Sequence, residues 1–388
     1  MDIWHLRLAF QYPIKHNLAT HQGSENVVVK VTTADGAVGY GEGVPRGFVT
    51  GELLYFSKRF LMEVLAPVVF AQEFAAPQDL PPRLAELYRR TGAQGFPGAF
   101  CALETALLDA AGRTFNMGLA DLLGPPGPAA VTYSAVIPML PPDRLARLLA
   151  LVKEHRLGYV KVKVGHDADL DVLQMVRQAL WWEVDLRVDA NGAWTAPEAL
   201  MRLRAMAPFR LSAVEQPVAK EDFLGLRQVQ EALDIPVIAD ESLCHEDDAR
   251  RLLDLRACRM FNLRLSKCGG LTTAWRIQEM AAQAGVASQL GCHVGETSIL
   301  SAAGRHYAMA APALTYLEGS LAPFVLAREP VSPPVVFGPG GQAGGLPGPG
   351  LGITVQEAAL ADLAVAHQVA AAASGPPQCR LPAGAALN

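Results

Sequence analysis

The chain has 388 residues and a formal net charge of −5, and 51% of its residues are hydrophobic while only 18% are charged. These values suit either two domains or one large barrel with an added module, and they argue against a disordered chain. The charge is mild and no dense basic run occurs, so nucleic acid is not an expected partner, and no run of about 18 apolar residues predicts a membrane span.

Six cysteines are scattered along the chain without CxxC spacing. In a chain of this size, such scatter favours reduced thiols over a disulfide framework. The amino-terminal segment interrupts its apolar residues with charges, so it lacks the apolar core of a secretory signal. We therefore expect a cytoplasmic protein, and we also expect it to form a homo-oligomer.

The first part of the chain predicts a small α+β module. Residues 25–33 (ENVVVKVTT) and 37–42 (AVGYGE) have the composition of strands, and Asp35–Gly36 between them is a strong hairpin signal. Helical patterns then dominate as far as residue 116. We expect this module to occupy residues 1–124, a plausible size for a small domain.

Residues 125–320 predict a barrel. Strand patterns alternate there with amphipathic helical patterns, which indicates parallel strands joined by right-handed crossovers. Eight such units favour a TIM-type barrel, and the alternative, a doubly wound sheet, lacks a GxGxxG after its first strand. The predicted strands begin near Val131, Tyr159, Asp185, Ala213, Pro236, Arg259, Val286 and Leu314.

The remaining residues, 321–388, are expected to return to the amino-terminal module and complete it. Residues 331–352 are rich in proline and glycine and lead into a short strand. Residues 355–373 have a helical pattern, and residues 374–388 are predicted to be a frayed tail.

Three carboxylates end successive predicted strands of the barrel, namely Asp189, Glu215 and Asp240. Catalytic groups of a TIM barrel lie at this carboxyl-terminal end of the strands. Three acids that converge there would repel one another unless a cation lay between them. Because oxygen-only ligands select a hard cation, we predict a Mg²⁺ site, with Mn²⁺ as the alternative ion. Taken singly, each acid would be an ordinary residue at the edge of a loop.

Lysines lie on the strands to either side of these acids. Lys161 and Lys163 share one face of the second predicted strand, because side chains at a spacing of two point the same way. Lys267 is expected at the end of the sixth predicted strand, on the opposite wall of an eight-stranded barrel. A bound Mg²⁺ and the neighbouring Lys161 would lower the pKa of Lys163 enough for it to act as a base. An edge strand with solvated lysines is the simpler alternative.

Other polar residues near these strand ends are weaker candidates. Asn191 would orient Asp189 or touch a substrate, and Glu241 would support a lysine or form a solvent-exposed ion pair. His293 would act in acid–base chemistry or pack inside the protein. The substrate-binding candidates in this part of the chain are His293, Glu296 and Glu318.

Five motifs in order resemble the muconate lactonizing enzyme subgroup of the enolase superfamily. They are KVK at residues 161–163, DAN at 189–191, EQP at 215–217, ADES at 239–242, and Lys267 followed by two glycines. The resemblance covers nearly the whole chain. It implies a modified TIM barrel, (β/α)₇β, with an α+β N-terminal capping domain. It also implies Mg²⁺ on the three carboxylates, with Lys163 and Lys267 as the acid–base residues.

The chemistry that this resemblance implies is removal of the α-proton of a small-molecule carboxylate to form an enediolate, a task for which the superfamily uses lysine or histidine with Mg²⁺. A racemase or epimerase acting on an N-acylamino acid or a dipeptide-like substrate is our first expectation. The alternatives are a muconate-type cycloisomerase and an elimination of the o-succinylbenzoate synthase kind. A barrel that binds ligands without catalysis is the alternative from another class.

Two loops of the capping module, residues 15–24 and 43–52, are expected to cover the barrel mouth and to select the substrate. Arg46 would bind an anionic group and Phe48 would form an apolar contact. The second loop resembles those of dipeptide epimerases. Those enzymes typically carry an Asp-x-Asp pair after the last strand to hold the substrate's ammonium group, and this chain offers only Glu318 there.

Overall fold

The protein consists of an antiparallel sheet with helices packed on it and a parallel, curled sheet surrounded by helices. A computed structural model describes residues 1–16, 19–73, 76–125, 127–311 and 313–372. The strands are β1 Asp2–His16, β2 Ala19–Thr32, β3 Val38–Gly43, β4 Ala130–Thr132, β5 Ala135–Ile137, β6 Tyr159–Lys163, β7 Asp185–Asp189, β8 Ala213–Glu215, β9 Val237–Ala239, β10 Met260–Leu263, β11 Ala287–Leu290, β12 Gln342–Gly344 and β13 Ala364–Val369.

The helices vary from single turns to long amphipathic segments. They are α1 Gly47–Thr50, α2 Leu54–Phe60, α3 Ala66–Phe70, α4 Leu80–Arg90, α5 Pro97–Phe115, α6 Leu119–Leu123, α7 Pro142–Glu154, α8 Asp169–Ala179, α9 Ala196–Met206, α10 Phe223–Glu231, α11 Glu246–Asp254, α12 Leu265–Cys268, α13 Leu271–Gln283, α14 Ser298–Ala310, α15 Ala322–Val325 and α16 Glu357–Leu363. Within the described ranges, none of them is both long and apolar enough to cross a membrane.

The antiparallel sheet has the strand order β13-β1-β2-β3, so strands from both ends of the chain meet in it. The predicted Asp35–Gly36 turn joins β2 to β3, and Gly36 has the positive φ of 87° that such a turn requires. Helix α5 packs closely against β3. A Cβ on Gly41 would lie 2.0 Å from the carbonyl oxygen of Ala102, so only glycine permits this approach.

The parallel sheet has seven strands in the order β11-β10-β9-β8-β7-β6-β5. The segment after α14 closes it, because Glu318 N–H donates to the carbonyl of Leu290 at 2.8 Å and Ser134 N–H donates to the carbonyl of Leu317 at 2.8 Å. These bonds join the two edge strands through an eighth, short segment. The expected fold class, a modified TIM barrel with an α+β module, is confirmed.

Several details of the predicted elements are wrong. The strand near Val131 is β4, which pairs with β12 outside the barrel, and the first barrel strand is β5. The expected helix over residues 355–373 ends at Leu363 and continues as β13, because the open edge of β1 offers hydrogen bonds that outweigh helix propensity. The described residues of the predicted loop 15–24 continue β1 and β2. The predicted tail, 374–388, lies outside the described residues.

Buried glutamates of the amino-terminal module bind the ends of barrel helices. Glu104 on α5 accepts a hydrogen bond from Thr272 N–H at 3.3 Å, at the start of α13. Glu42 on β3 accepts from Thr297 N–H and Leu300 N–H, both at 3.0 Å, at the start of α14. Helix amino termini carry unpaired N–H groups and partial positive charge, so these carboxyls fasten the two parts of the protein together.

These glutamates predict how stability depends on pH. Burial raises the pKa of Glu42 to about 6 and that of Glu104 to about 7, above the ordinary value of 4.5, although hydrogen bonds oppose the shift. Between pH 4.5 and about 7, the folded state therefore binds more protons than the unfolded state. The resulting contribution to the free energy of unfolding is fully present below pH 4.5 and is lost as the pH rises to about 7. We expect the thermal midpoint of Glu104→Gln, measured by circular dichroism, to decline less than that of the parent from about pH 5 to about pH 7.5. Equal slopes for the two proteins would contradict this.

Candidate active site

The predicted strand-end residues meet at one end of the barrel. Lys163, Asp189 and Glu215 are the last residues of β6, β7 and β8, and they occupy paired register positions on these neighbouring strands. Asp240 directly follows β9, and Arg264 directly follows β10. Parallel strands present their carboxyl ends at the same rim, so the β/α alternation alone brings these five residues together.

The carboxylates are fully buried and bound by cations. Glu215 accepts hydrogen bonds from Lys161 Nζ at 3.1 Å, Asn262 Nδ2 at 2.8 Å and Gln289 Nε2 at 2.9 Å. Burial opposes ionisation of Glu215, but Lys161 and Arg264 outweigh it and hold its pKa well below the ordinary range. Glu215 therefore keeps its negative charge at neutral pH.

Asp189 accepts hydrogen bonds from fewer side chains. It accepts from Lys163 Nζ at 2.5 Å and from Asn191 N–H at 3.0 Å, and Lys161 Nζ lies 3.4 Å away. Burial and the nearby Glu215 charge raise its pKa, and the lysines only partly offset them. The two neighbouring carboxylates therefore differ, with the negative charge held more firmly on Glu215.

The structure separates the two lysines that the sequence pairs as acid–base groups. Lys267 lies in α12 rather than on a strand, is fully buried, and donates to Asp240 O at 2.6 Å, Asp240 Oδ1 at 2.9 Å and Asn262 O at 2.9 Å. It is not among the residues that line the central cavity. From the sixth barrel strand, β10, the residue that faces the cavity is Arg264, which also binds the carboxylate of Asp240.

Arg264 was missed in the sequence, although a signal for it exists. It follows the last residue of β10 directly, as Asp240 follows β9, whereas Lys267 comes three residues later, after the chain has turned into α12. The first charged residue after the apolar run MFNL is Arg264, and this position is the strand end. Lys267 is instead the charged residue that lies nearest to the glycine pair that follows.

A second layer of charge lies inside the barrel beneath this rim. Lys161 Nζ is 2.8 Å from Glu318, and Arg187 Nη2 donates to the same carboxylate at 2.6 Å. The Arg187 guanidinium also stacks 4.2 Å from the ring centre of Tyr316. Glu318, a substrate-binding candidate from the sequence, is thus held by two buried cations, and the sequence had not indicated Arg187.

Asn191 and Glu241 connect Lys163 to the far side of the rim. Lys163 Nζ donates to Asn191 Oδ1 at 2.9 Å, and Asn191 Nδ2 donates to Glu241 Oε1 at 3.0 Å. Burial and the adjacent Asp240 raise the pKa of Glu241 to about 7. Asn191 therefore contacts Lys163 directly, whereas Glu241 contacts Asn191 rather than a lysine.

His293 and Glu296 follow β11 and also line the cavity. The His293 N–H donates to Glu296 Oε1 at 2.6 Å, but neither ring nitrogen of His293 has a hydrogen-bond partner among the described residues. Burial and the nearby Arg264 hold the pKa of His293 well below 6.5, so its ring is neutral. Burial raises the pKa of Glu296 to about 8.

The central cavity has a volume of about 380 Å³. Its charged lining includes Lys161, Lys163 and Arg264, which cover the fully buried carboxylates of the rim. Arg46 and Phe48 of the capping module line it too, as expected. Arg46, however, donates to Ser24 Oγ at 2.8 Å and to the carbonyl of Val294 at 2.9 Å, which ties the module to the barrel.

Comparison with known proteins identifies the family. Residues 144–359 match the family model "Enolase C-terminal domain-like", and residues 3–124 match "Mandelate racemase / muconate lactonizing enzyme, N-terminal domain". The chain belongs to the enolase superfamily. The resemblance drawn from the five motifs is confirmed.

Relatives within the superfamily match most of the chain. A hydrophobic dipeptide epimerase from Enterococcus faecalis is 30% identical over 77% of this chain and 83% of its own. The solved N-succinyl Arg/Lys racemase from Bacillus cereus has a TM-score of 0.85 and 25% identity, covering 95% of this chain and 98% of its own. A dipeptide epimerase from Cytophaga hutchinsonii, solved with Mg and the dipeptide D-Ala-L-Val, has a TM-score of 0.83 and 27% identity over the same shares.

The donor set of this superfamily member suits a hard cation such as Mg²⁺. Asp189, Glu215 and Asp240 supply oxygen atoms only, from three successive strands. In the described ranges, however, no three acidic, histidine or cysteine side chains stand together as a ready metal site. Lysine and arginine groups take up the carboxylate oxygens instead, so a metal ion would have to compete with those ion pairs.

Proposed function

We propose that the protein is an isomerase that removes the α-proton of a small-molecule carboxylate, with racemisation or epimerisation as its reaction. The observation that carries this proposal is the position of Lys163, whose ammonium group lines the cavity directly above a buried carboxylate rim. The match to a superfamily with racemase and epimerase relatives supports it.

We propose that Asp189, Glu215 and Asp240 hold Mg²⁺, the ion present with the Cytophaga relative, with Mn²⁺ as the alternative. When bound, the ion would act as a Lewis acid and stabilise negative charge on the substrate carboxylate. The charges of the site are consistent with this role. Five cationic and five carboxyl groups cluster here, so their charges match in number. A divalent cation and a doubly charged enediolate would together leave this net charge unchanged. The groups are Lys161, Lys163, Arg187, Arg264 and Lys267 on one side, and Asp189, Glu215, Asp240, Glu241 and Glu318 on the other.

Each residue then has a distinct role. Lys163 Nζ exchanges the proton with the substrate's α-carbon, while Asn191 fixes the direction of that amine through its 2.9 Å hydrogen bond. Lys161 stays charged, because Glu215, Glu318 and Asp189 outweigh burial and raise its pKa. Lys267 positions Asp240 from beneath.

A second reaction type is favoured by one observation, the arginine at position 264. Inversion needs a proton carrier on each face of the α-carbon, and β6 and β10 lie on opposite walls as the second and sixth of eight barrel strands. A guanidinium stays protonated at neutral pH and does not act as a base. Arg264 therefore favours chemistry on one face, as in cycloisomerisation or elimination.

Solvent labelling tests the function and separates these two reactions. In D₂O with Mg²⁺, we expect N-acylamino acids to acquire α-deuterium, detected by mass spectrometry, and chiral chromatography shows whether inversion accompanies it. If the parent labels without inverting, Arg264→Lys should gain inversion, because an amine would then face the second side. The proposal fails if none of the carboxylates tested acquires deuterium, undergoes elimination or cyclises.

We further propose a cytoplasmic homo-oligomer. Free thiols at Cys101, Cys258 and Cys268 support the compartment. The exposed side chains of Tyr55 and Phe56 on α2 support self-association. We also propose that residues 1–124 form the cap, that residues 125–320 form the barrel, and that the segment after residue 320 returns to the cap, a course that the pairing of β13 with β1 supports.

A further inference from the structure

The cavity continues beyond the charged rim into an apolar region. Helix α7 contributes Leu148, Leu151 and Val152, and α15 contributes Phe324. Phe337 completes this wall, with its ring 5.3 Å from that of Tyr133 and 6.1 Å from that of Phe324. We name the surface formed by these lining residues of α7 and α15, together with Phe337, the apolar wall.

The apolar wall reaches the protein surface. Leu151 is 47% exposed and Phe324 is 41% exposed, while Val152 on the same cavity is 3% exposed. Large apolar side chains that are exposed along a concave surface indicate a site for an apolar ligand. Because this wall and the charged rim line one continuous cavity, a ligand anchored at the rim would extend along the wall.

The cavity has little with which to bind a positively charged group on such a ligand. Three glutamates line its described part. Glu318 already binds Lys161 and Arg187. Glu296 accepts a hydrogen bond from a main-chain N–H, and burial holds its pKa near 8. Glu241 accepts a hydrogen bond from Asn191 at the charged rim.

We propose that the substrate is a carboxylate whose α-substituent carries a long apolar chain without a positive charge, and that this chain lies along the apolar wall. N-acylamino acids with aliphatic acyl chains belong to this class, and dipeptides with a free ammonium group do not. The inference rests on the proposed function, because it uses the charged rim as the anchor for the carboxylate. It adds the chemistry of the other end of the substrate.

A matched series of substrates tests whether the apolar chain of the substrate lies along the apolar wall. N-acyl derivatives of one L-amino acid, with linear acyl chains of increasing length, are incubated with the Mg²⁺-loaded protein in D₂O. We expect kcat/KM for α-deuterium exchange to rise about fourfold for each methylene that becomes buried on the wall. Phe324→Ala should flatten this rise, whereas Leu224→Ala, at a 66% exposed position on α10, should leave it unchanged.

A matched pair of substrates tests whether the site discriminates against an ammonium group. Isovaleryl-L-phenylalanine and L-valyl-L-phenylalanine differ only in the ammonium group of the dipeptide. We expect exchange of the acyl compound to exceed that of the dipeptide by at least about tenfold, and Leu321→Asp, which adds an acid to the cavity lining, to narrow the difference. Exchange that is independent of chain length, or faster with the dipeptide, would overturn the substrate class while leaving the proposed function standing. Absence of exchange with every acid would instead count against the function itself.

Discussion

Replacing Lys163 by methionine should reduce α-proton exchange by about 10²–10⁴-fold, because the proposed acid–base group disappears while the side chain keeps its apolar stem. The protein should remain folded, since Lys163 lines the cavity and its side chain is more exposed than those of Lys161 and Arg264. The measurement is the initial rate of deuterium uptake in D₂O at saturating Mg²⁺.

Two controls make this result specific. Lys153→Met, at an exposed position on α7, should exchange at the parent rate. Mg²⁺ affinity of Lys163→Met, measured by calorimetry, should be equal to or tighter than that of the parent, because an ammonium group 2.5 Å from Asp189 no longer competes with the ion. Parent-like exchange by Lys163→Met would show that the proton is carried by another residue.

Neutralising the proposed metal ligands should abolish Mg²⁺ binding and reduce turnover by orders of magnitude, but the two neighbouring carboxylates should differ in their effect on folding. Glu215→Gln removes the charge that Lys161, Asn262 and Gln289 surround, so it leaves a buried lysine less compensated. Breaking a buried ion pair by removing one partner costs about 3–5 kcal/mol. Asp189→Asn removes a carboxylate that accepts hydrogen bonds from fewer side chains, so it should lower the free energy of unfolding by less.

Calorimetric titration with Mg²⁺ and thermal unfolding of the metal-free proteins would measure both effects. We expect neither variant to bind Mg²⁺ detectably and the thermal midpoint of Glu215→Gln to lie below that of Asp189→Asn. From the sequence alone, the removal of one of three like charges would be expected to raise the thermal midpoint of the metal-free protein, whereas the structure shows that Lys161 compensates the charge of Glu215. Retained Mg²⁺ binding in both variants would place the metal site elsewhere.

The rim of the barrel could be predicted because local sequence determines it. Asp189 and Glu215 each end a short apolar run, and alternation of strands and helices fixes where such ends meet. Lys163 could be placed for the same reason. These positions need only strand ends and the order of units, both of which the sequence displays directly.

The parts that could not be predicted depend on contacts between distant segments. Residues 364–369 are rich in alanine and valine, and only the free edge of β1, more than three hundred residues earlier, makes them a strand. Lys267 seemed catalytic because it carries an amine beside a glycine pair, yet α12 turns it beneath Asp240. Arg187 is hidden within a strand pattern, and only closure of the barrel brings Glu318 to it.

The pairing of β13 with β1 has a consequence for the order of events during synthesis. Strand β1 is made early, but its outer neighbour β13 is made more than three hundred residues later. Until then, the amino-terminal sheet has an unpaired edge, the kind of surface at which nascent chains associate with one another. The last strand of this sheet to be made therefore protects the first.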